Sequence, residues 1–197
     1  MSALTKINIA PGPRILRMLG EIDFAAWQCI CEIIDNSMDS FSGIDGTSGS
    51  SSECKIEVRL PSNSAATLNT NDVLEVRDNG IGMSIATLEH SVKAGFSFNK
   101  PIGKMGLFGM GFNIATARLG TKTEIITATQ DSKDILKLVI DFHQLEKDGT
   151  YDTNVERTPK EADEKNWHGT IVRITKLKTE HFKPLYQKAA MAKRLGK

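Results

Sequence analysis

One long amphipathic segment, Asp23 to Phe41 (DFAAWQCICEIIDNSMDSF), constrains this chain more than any other stretch. Wound at about 100° per residue, the geometry of an α-helix, its side chains sort onto two unlike faces. With Glu32 at zero, Asn36 falls at about +40°, Asp39 at about −20°, Gln28 at about −40° and Asp35 at about −60°. The opposing wall, roughly 160° to 240°, gathers Ile30, Ile34, Phe41, Trp27 and Met38, and is expected to be the buried one. No Lys or Arg lies between Arg17 and Lys55 to neutralise the acidic face. A solvated helix face usually mixes signs at i,i+4 spacing. Three carboxylates and two amides without a cation fit either a plain acidic surface or a helix whose missing partner is a hard metal ion with oxygen ligands.

The rest of the chain has to supply the layer this helix packs on. At 197 residues, 40 % apolar and 25 % charged, it has the composition of a globular protein with one domain-sized core, or of a fragment of something larger. A net charge of +1 gives no electrostatic case for nucleic acid or a membrane surface. No signal peptide is legible at 1–9 and no apolar run approaches the ~20 residues of a membrane span, so a cytoplasmic protein with no membrane partner is expected. Cys29, Cys31 and Cys54 lack metal spacing and read as small buried hydrophobes.

In chain order, a Pro11-Gly12-Pro13 break precedes a short helix at Arg14–Gly20, and the pivotal helix follows. Residues 42–53 are Gly/Ser-rich and read as a flexible loop. Alternating segments at 55–60, 73–77, 122–130, 135–142 and 170–176 read as strands, the third and fourth forming a hairpin around Asp131-Ser132. Ser84 caps a helix over Ile85–Lys93. Met110–Leu119 reads as a helix stopped by Gly120 at its C′ position, and 143–167 as a long charged loop. A basic terminal helix is expected over Glu180–Arg194. These elements predict an α+β fold: a two-layer sandwich with a mixed, mostly antiparallel sheet and helices on one face.

Three further clusters bear on chemistry. In Asp78-Asn79-Gly80-Ile81-Gly82-Met83 a carboxylate directly follows a strand, beside backbone that can approach a flat ligand closely. Such an acceptor suits the exocyclic amine of adenine, although the same triplet is also a common turn. Gly106-Leu107-Phe108-Gly109-Met110-Gly111 runs into a helix at Phe112, where backbone N–H groups and the positive helix end can meet phosphate oxygens, with Lys104 just upstream. It is neither a Walker A loop nor a dinucleotide fingerprint, and a ligand-free flexible loop remains open. His168-Gly169-Thr170 opens the last strand, where the Thr170 hydroxyl could donate to Asp78 directly or through water.

In this order the four clusters resemble the GHKL superfamily of ATPases: DNA gyrase B subunit, heat-shock chaperone, histidine kinase and MutL. The resemblance runs from about residue 20 to 176. It rests on EIIDNSMD from Glu32 to Asp39, DNGIGM from Asp78 to Met83, GLFGMGF from Gly106 to Phe112, and Gly169-Thr170. IGKMGLFGMGF and AGFSF look closest to a chaperone-like and MORC-like branch. The resemblance implies the Bergerat fold, with residues 1–178 as an ATP-binding domain, 94–111 as its lid, and 179–197 as a basic helix or linker toward a transducer domain. It further implies ATP or ADP with Mg²⁺ as cofactors. Glu32 would be the general base toward water and Asn36 the Mg²⁺ ligand, with Asp35 and Asp39 on the same face. Asp78 would bind adenine, Gly82 and Met83 would shape the base pocket, and Thr170 would support it. Lys104, Gly106, Leu107, Phe108, Gly109, Met110, Gly111 and Phe112 would lie near the phosphates. Slow hydrolysis is implied, because relatives take a cation from a following domain. A homodimer or further domains of the same chain are the implied partners, and nucleic acid stays open through the basic segment 183–197. A nucleotide sensor without turnover and a histidine-kinase catalytic domain are the alternative readings.

Overall fold

The computed structural model describes residue 12 and residues 14–41, 53–93 and 110–195, with side chains as far as 187. Its chain order is α1 (Arg14–Leu19), α2 (Ala26–Asp39), β1 (Ile56–Arg59), β2 (Leu74–Asp78), α3 (Ile85–Val92), α4 (Gly111–Leu119), β3 (Gly120–Ala128), β4 (Asp134–Asp141), α5 (Phe142–Asp148), β5 (Val155–Pro159), β6 (Gly169–Leu177) and α6 (Thr179–Leu195). The strands form one six-stranded sheet in the order β1-β2-β6-β3-β4-β5. Every ladder is antiparallel, where a mixed, mostly antiparallel sheet was expected.

Period-two alternation gives the sheet one apolar face. Cross-strand rows such as Val58, Val76, Val172, Ile125, Leu138 and Val155 line it. The other face is mixed: Arg173 bonds Glu75 at 2.7 Å, and Ile171 and Ile126 stand in a row between Arg77 and Lys137. The helices cover the apolar face over two clusters. One joins Ala26, Cys29, Ile30 and Ile33 of α2 to Leu74, Val76, Ala115, Val172, Ile174 and, from α6, Phe182 and Tyr186. The other joins Leu88, Ala117, Ile125, Leu136, Leu138, Ile140, Phe142 and Leu145. Helix α4, contributing to both, ties the two halves together.

Helix α2 is present but turned from its expected pose. Its buried side chains are Ala26, Cys29, Ile30, Ile33 and Ser37, an arc of about 60° to 160° on the same wheel. Trp27 and Met38, expected in the buried wall, are 51 % and 56 % exposed. Small side chains decide this. Ala26 and Cys29 let the α2 backbone come close to Ala115 of α4, which a wall of large residues would prevent. Cys29 is fully buried, and burial pushes its thiol up to about 11. Cys31 and Cys54 are exposed, correcting the expectation of three buried thiols.

Ser84 caps α3, its hydroxyl accepting from the Thr87 N–H at 3.2 Å. Gly120 corrects another expectation. It is extended (φ −159°, ψ 179°) and opens β3 instead of sitting left-handed after the helix. Two elements lay unread inside the charged loop: α5, whose N-cap Asp141 accepts from the Gln144 N–H, and edge strand β5. Among the described residues no helix is long and apolar enough to cross a membrane.

Candidate functional site

The apolar sheet face changes character at one end. There the cross-strand row runs Ile56, Asp78, Thr170, Thr127, Leu136, so three polar side chains from β2, β6 and β3 stand side by side. All three are buried: Asp78 is 4 % exposed, Thr170 8 % and Thr127 0 %. Asp78 Oδ1 accepts from the Gly80 N–H at 2.9 Å and from the Thr170 N–H at 3.1 Å. Burial pushes its carboxyl above the ordinary range. The Gly80 N–H, the Ser37 hydroxyl, the Thr170 N–H and the Ser40 hydroxyl act in the opposite sense. Ser37 is the polar member of the buried arc of α2, so the helix brings its own hydroxyl to the carboxylate.

The support from Thr170 differs from the expected one. Its backbone N–H reaches Asp78 directly, while its hydroxyl lies 3.1 Å from that of Thr127. Thr127 Oγ1 also receives the Met83 N–H at 2.9 Å and bonds the Gly169 carbonyl at 2.8 Å. One hydroxyl thus fastens the glycine segment after β2 to the start of β6. His168 adds a second clasp, its Nδ1 lying 2.7 Å from the Gly80 carbonyl. Glycine is required at two of these points. Gly82 is left-handed (φ +66°) and a Cβ would strike the Ala128 carbonyl; Gly169 (φ +117°) would strike the Asp78 carbonyl. Met83 is half-buried and packs on the second cluster.

On α2, Glu32 and Asp35 are half-buried, and Asn36 and Asp39 are exposed. Burial first, then the neighbouring Asp35 carboxylate, raise the Glu32 carboxyl above its usual value. The Glu32 carboxylate lies against the first residue of α4: a Cβ on Gly111 would collide with its Oε2. Among the described residues no side-chain cap occupies the start of α4 and its first turn has no acidic residue, the kind of helix start that can receive an anion. Phe112 packs against both core clusters. Asn113, 2 % exposed, donates to the Val92 carbonyl at 3.2 Å and pins the end of α3. Lys104, Gly106, Leu107, Phe108 and Gly109 lie outside the described residues, as do residues 42–52, where a flexible loop is expected.

Among the described residues no cation pairs with Glu32, Asp35 or Asp39. Nor do three carboxylate, imidazole or thiolate groups come together there as a metal cage. An exposed amide and carboxylates on one helix face are the donor set of a Mg²⁺ ion bound through one or two protein oxygens plus phosphates, so the chemistry fits. A cavity of about 380 Å³ lies elsewhere, lined among others by Trp27, Arg118, His181 and Leu185.

Neither Ser37 nor Thr127 carries a signal in the sequence. Each is a common residue in a regular element, and only α2 packing and strand register place it beside Asp78.

A helix-covered antiparallel sheet, with a buried acceptor carboxylate at one end and an uncapped helix start near an acidic helix face, defines an α+β nucleotide-binding sandwich. The chain belongs to the family described as histidine kinase-, DNA gyrase B- and HSP90-like ATPases, which it matches over residues 24–170. No curated protein matches it.

Proposed function

We propose that this chain binds Mg-ATP and hydrolyses it slowly to ADP and phosphate, as the ATPase module of a larger chaperone-like or MORC-like machine in the cytoplasm. The observation that carries this reading is Asp78, a carboxylate 4 % exposed and fixed by two backbone N–H groups, in a chain of this ATPase family. The adenine 6-amino group donates to Asp78, with Gly82 and Met83 bounding the base. The phosphates meet the start of α4 at Met110, Gly111 and Phe112, together with Lys104 and the glycines of 94–111, whose closure gates dimerisation or partner binding. Asn36 would hold Mg²⁺, with Asp35 and Asp39 beside it, and the ion would supply charge neutralisation at the phosphates. Glu32 takes a proton from the water that attacks the terminal phosphorus, and ADP leaves. Burial and the Asp35 carboxylate raise its pKa, the direction that makes a carboxylate a stronger base.

Calorimetric titration with ATP, GTP and ADP, with and without Mg²⁺, tests the reading together with Glu32→Ala. The expected result is metal-dependent binding that prefers adenine, retained in Glu32→Ala while turnover falls ~10²–10⁴-fold. Equal affinity for ATP and GTP, or equal turnover in the variant, overturns it.

A further inference from the structure

Thr127 settles which way the hydroxyls beside Asp78 point. A hydroxyl has one hydrogen to give and two lone pairs. The Met83 N–H, 2.9 Å away, can only donate, so Thr127 Oγ1 accepts from it. The Gly169 carbonyl, 2.8 Å away, can only accept, so the single hydrogen of Thr127 goes there. The contact of 3.1 Å to Thr170 Oγ1 is then possible in one sense alone: Thr170 donates and Thr127 accepts. Thr170 stands between Asp78 and Thr127 in the cross-strand row, so its hydrogen is drawn to the Thr127 side. What it leaves free is lone pairs, next to a carboxylate that is also an acceptor.

We propose that Thr127 is a specificity-determining positioning residue: by taking the Thr170 hydrogen it makes this end of the sheet acceptor-only, so that a purine is read by a donor at C6. The inference rests on the nucleotide-site reading above and adds to it a second acceptor and the residue that orients it. A 6-amino purine brings two N–H groups to this edge. A 6-oxo purine brings an oxygen that meets lone pairs on both sides, and a purine with hydrogen at C6 brings neither.

The test is calorimetry with ATP, inosine triphosphate and purine riboside triphosphate on the wild type, Thr127→Val and Thr127→Ser. In the wild type the expected affinity order is ATP, then purine riboside triphosphate, then inosine triphosphate. In Thr127→Val the Thr170 hydrogen is released, and the preference for ATP over inosine triphosphate falls about tenfold, the scale set by one buried unpaired acceptor. Thr127→Ser keeps the hydroxyl and the wild-type ratio. An unchanged ratio in Thr127→Val overturns the proposal. Should that variant not fold, the wild-type order decides: inosine triphosphate binding as well as or better than purine riboside triphosphate overturns it, and the expected order, with inosine triphosphate weakest, supports it. A wild type that binds no ATP would instead remove the nucleotide-site reading itself, a separate result.

Discussion

Asp78 is held in a state that the unliganded fold does not favour. Burial raises its folded-state pKa above the unfolded value, so its contribution to stability is present below that unfolded value. The contribution is lost as pH rises through the folded pKa, and at neutral pH the ionised group weighs against folding. Asn at this position keeps the oxygen that accepts from Gly80 and Thr170 and removes the charge. Asp78→Asn is therefore expected to raise the melting temperature at pH 7, each kcal/mol being worth about 2–4 °C for a chain of this size. The gap to wild type should close as pH falls into the carboxylate range, while ATP binding is lost. Thermal unfolding between pH 4 and 7.5 checks this, and a lower melting temperature for the variant at pH 7 would contradict it. Asp78 is legible in the sequence because a carboxylate between a strand and Gly-x-Gly is unusual in its neighbours. Thr127 is not, because Thr in an alternating strand looks the same whether it faces lipid-like core or a ligand; only the register with Thr170 distinguishes the two.

At the scale of elements, position and orientation parted company. The acidic face of α2 was readable from its spacing, yet the wall opposite was misplaced by roughly a quarter-turn, since Ala26, Cys29 and Ser37 count for little on an apolar wheel and for much in a close helix contact. Strand β5 and helix α5 went unread for a related reason: β5 is an exposed edge strand and α5 has two turns at most, so neither carries a long apolar period. The α2–α4 contact has a functional consequence at Gly111. Alanine there suits a helix better than glycine, by up to ~1 kcal/mol in a helix interior, but its Cβ would collide with the Glu32 carboxylate. The carboxylate is the end of a flexible side chain, so it moves and the backbone does not. Gly111→Ala is expected to leave the melting temperature within about 2 °C and ATP affinity within a few-fold, while turnover falls on the order of 10–100-fold, part of the worth of a general base. Unchanged turnover would show that the placement of Glu32 against α4 does not matter to the reaction.

Across the whole molecule, the question is whether the C-terminal helix is an appendage or part of the domain that carries the site. Phe182 of α6 is fully buried, and it shares a cluster with Cys29, Ile30 and Ile33 of α2 and with Leu74 and Val76 of β2. Tyr186 sits in the same cluster, its hydroxyl accepting from the Ser62 N–H at 3.2 Å and so anchoring the loop between β1 and β2. The helix that bears Glu32 and the strand that ends in Asp78 thus rest on side chains from α6. A basic composition reads as a helix or linker leading away from the domain, but composition averages over faces and one aromatic side chain is enough to tie a helix into a core. Phe182→Ala is expected to cost about 3–5 kcal/mol, the usual range for emptying a buried aromatic site, which corresponds to a fall in melting temperature on the order of 10 °C. Because α2 and β2 share that core, unfolding followed by helical circular dichroism and by the fluorescence of the two tryptophans, Trp27 and Trp167, should remain one coincident transition in both proteins. Saturating Mg-ATP should raise both melting temperatures, as a ligand that binds only the folded chain must. A variant that melts where the wild type does, or that loses α6 in a separate early step, would mean that the helix is dispensable to the site.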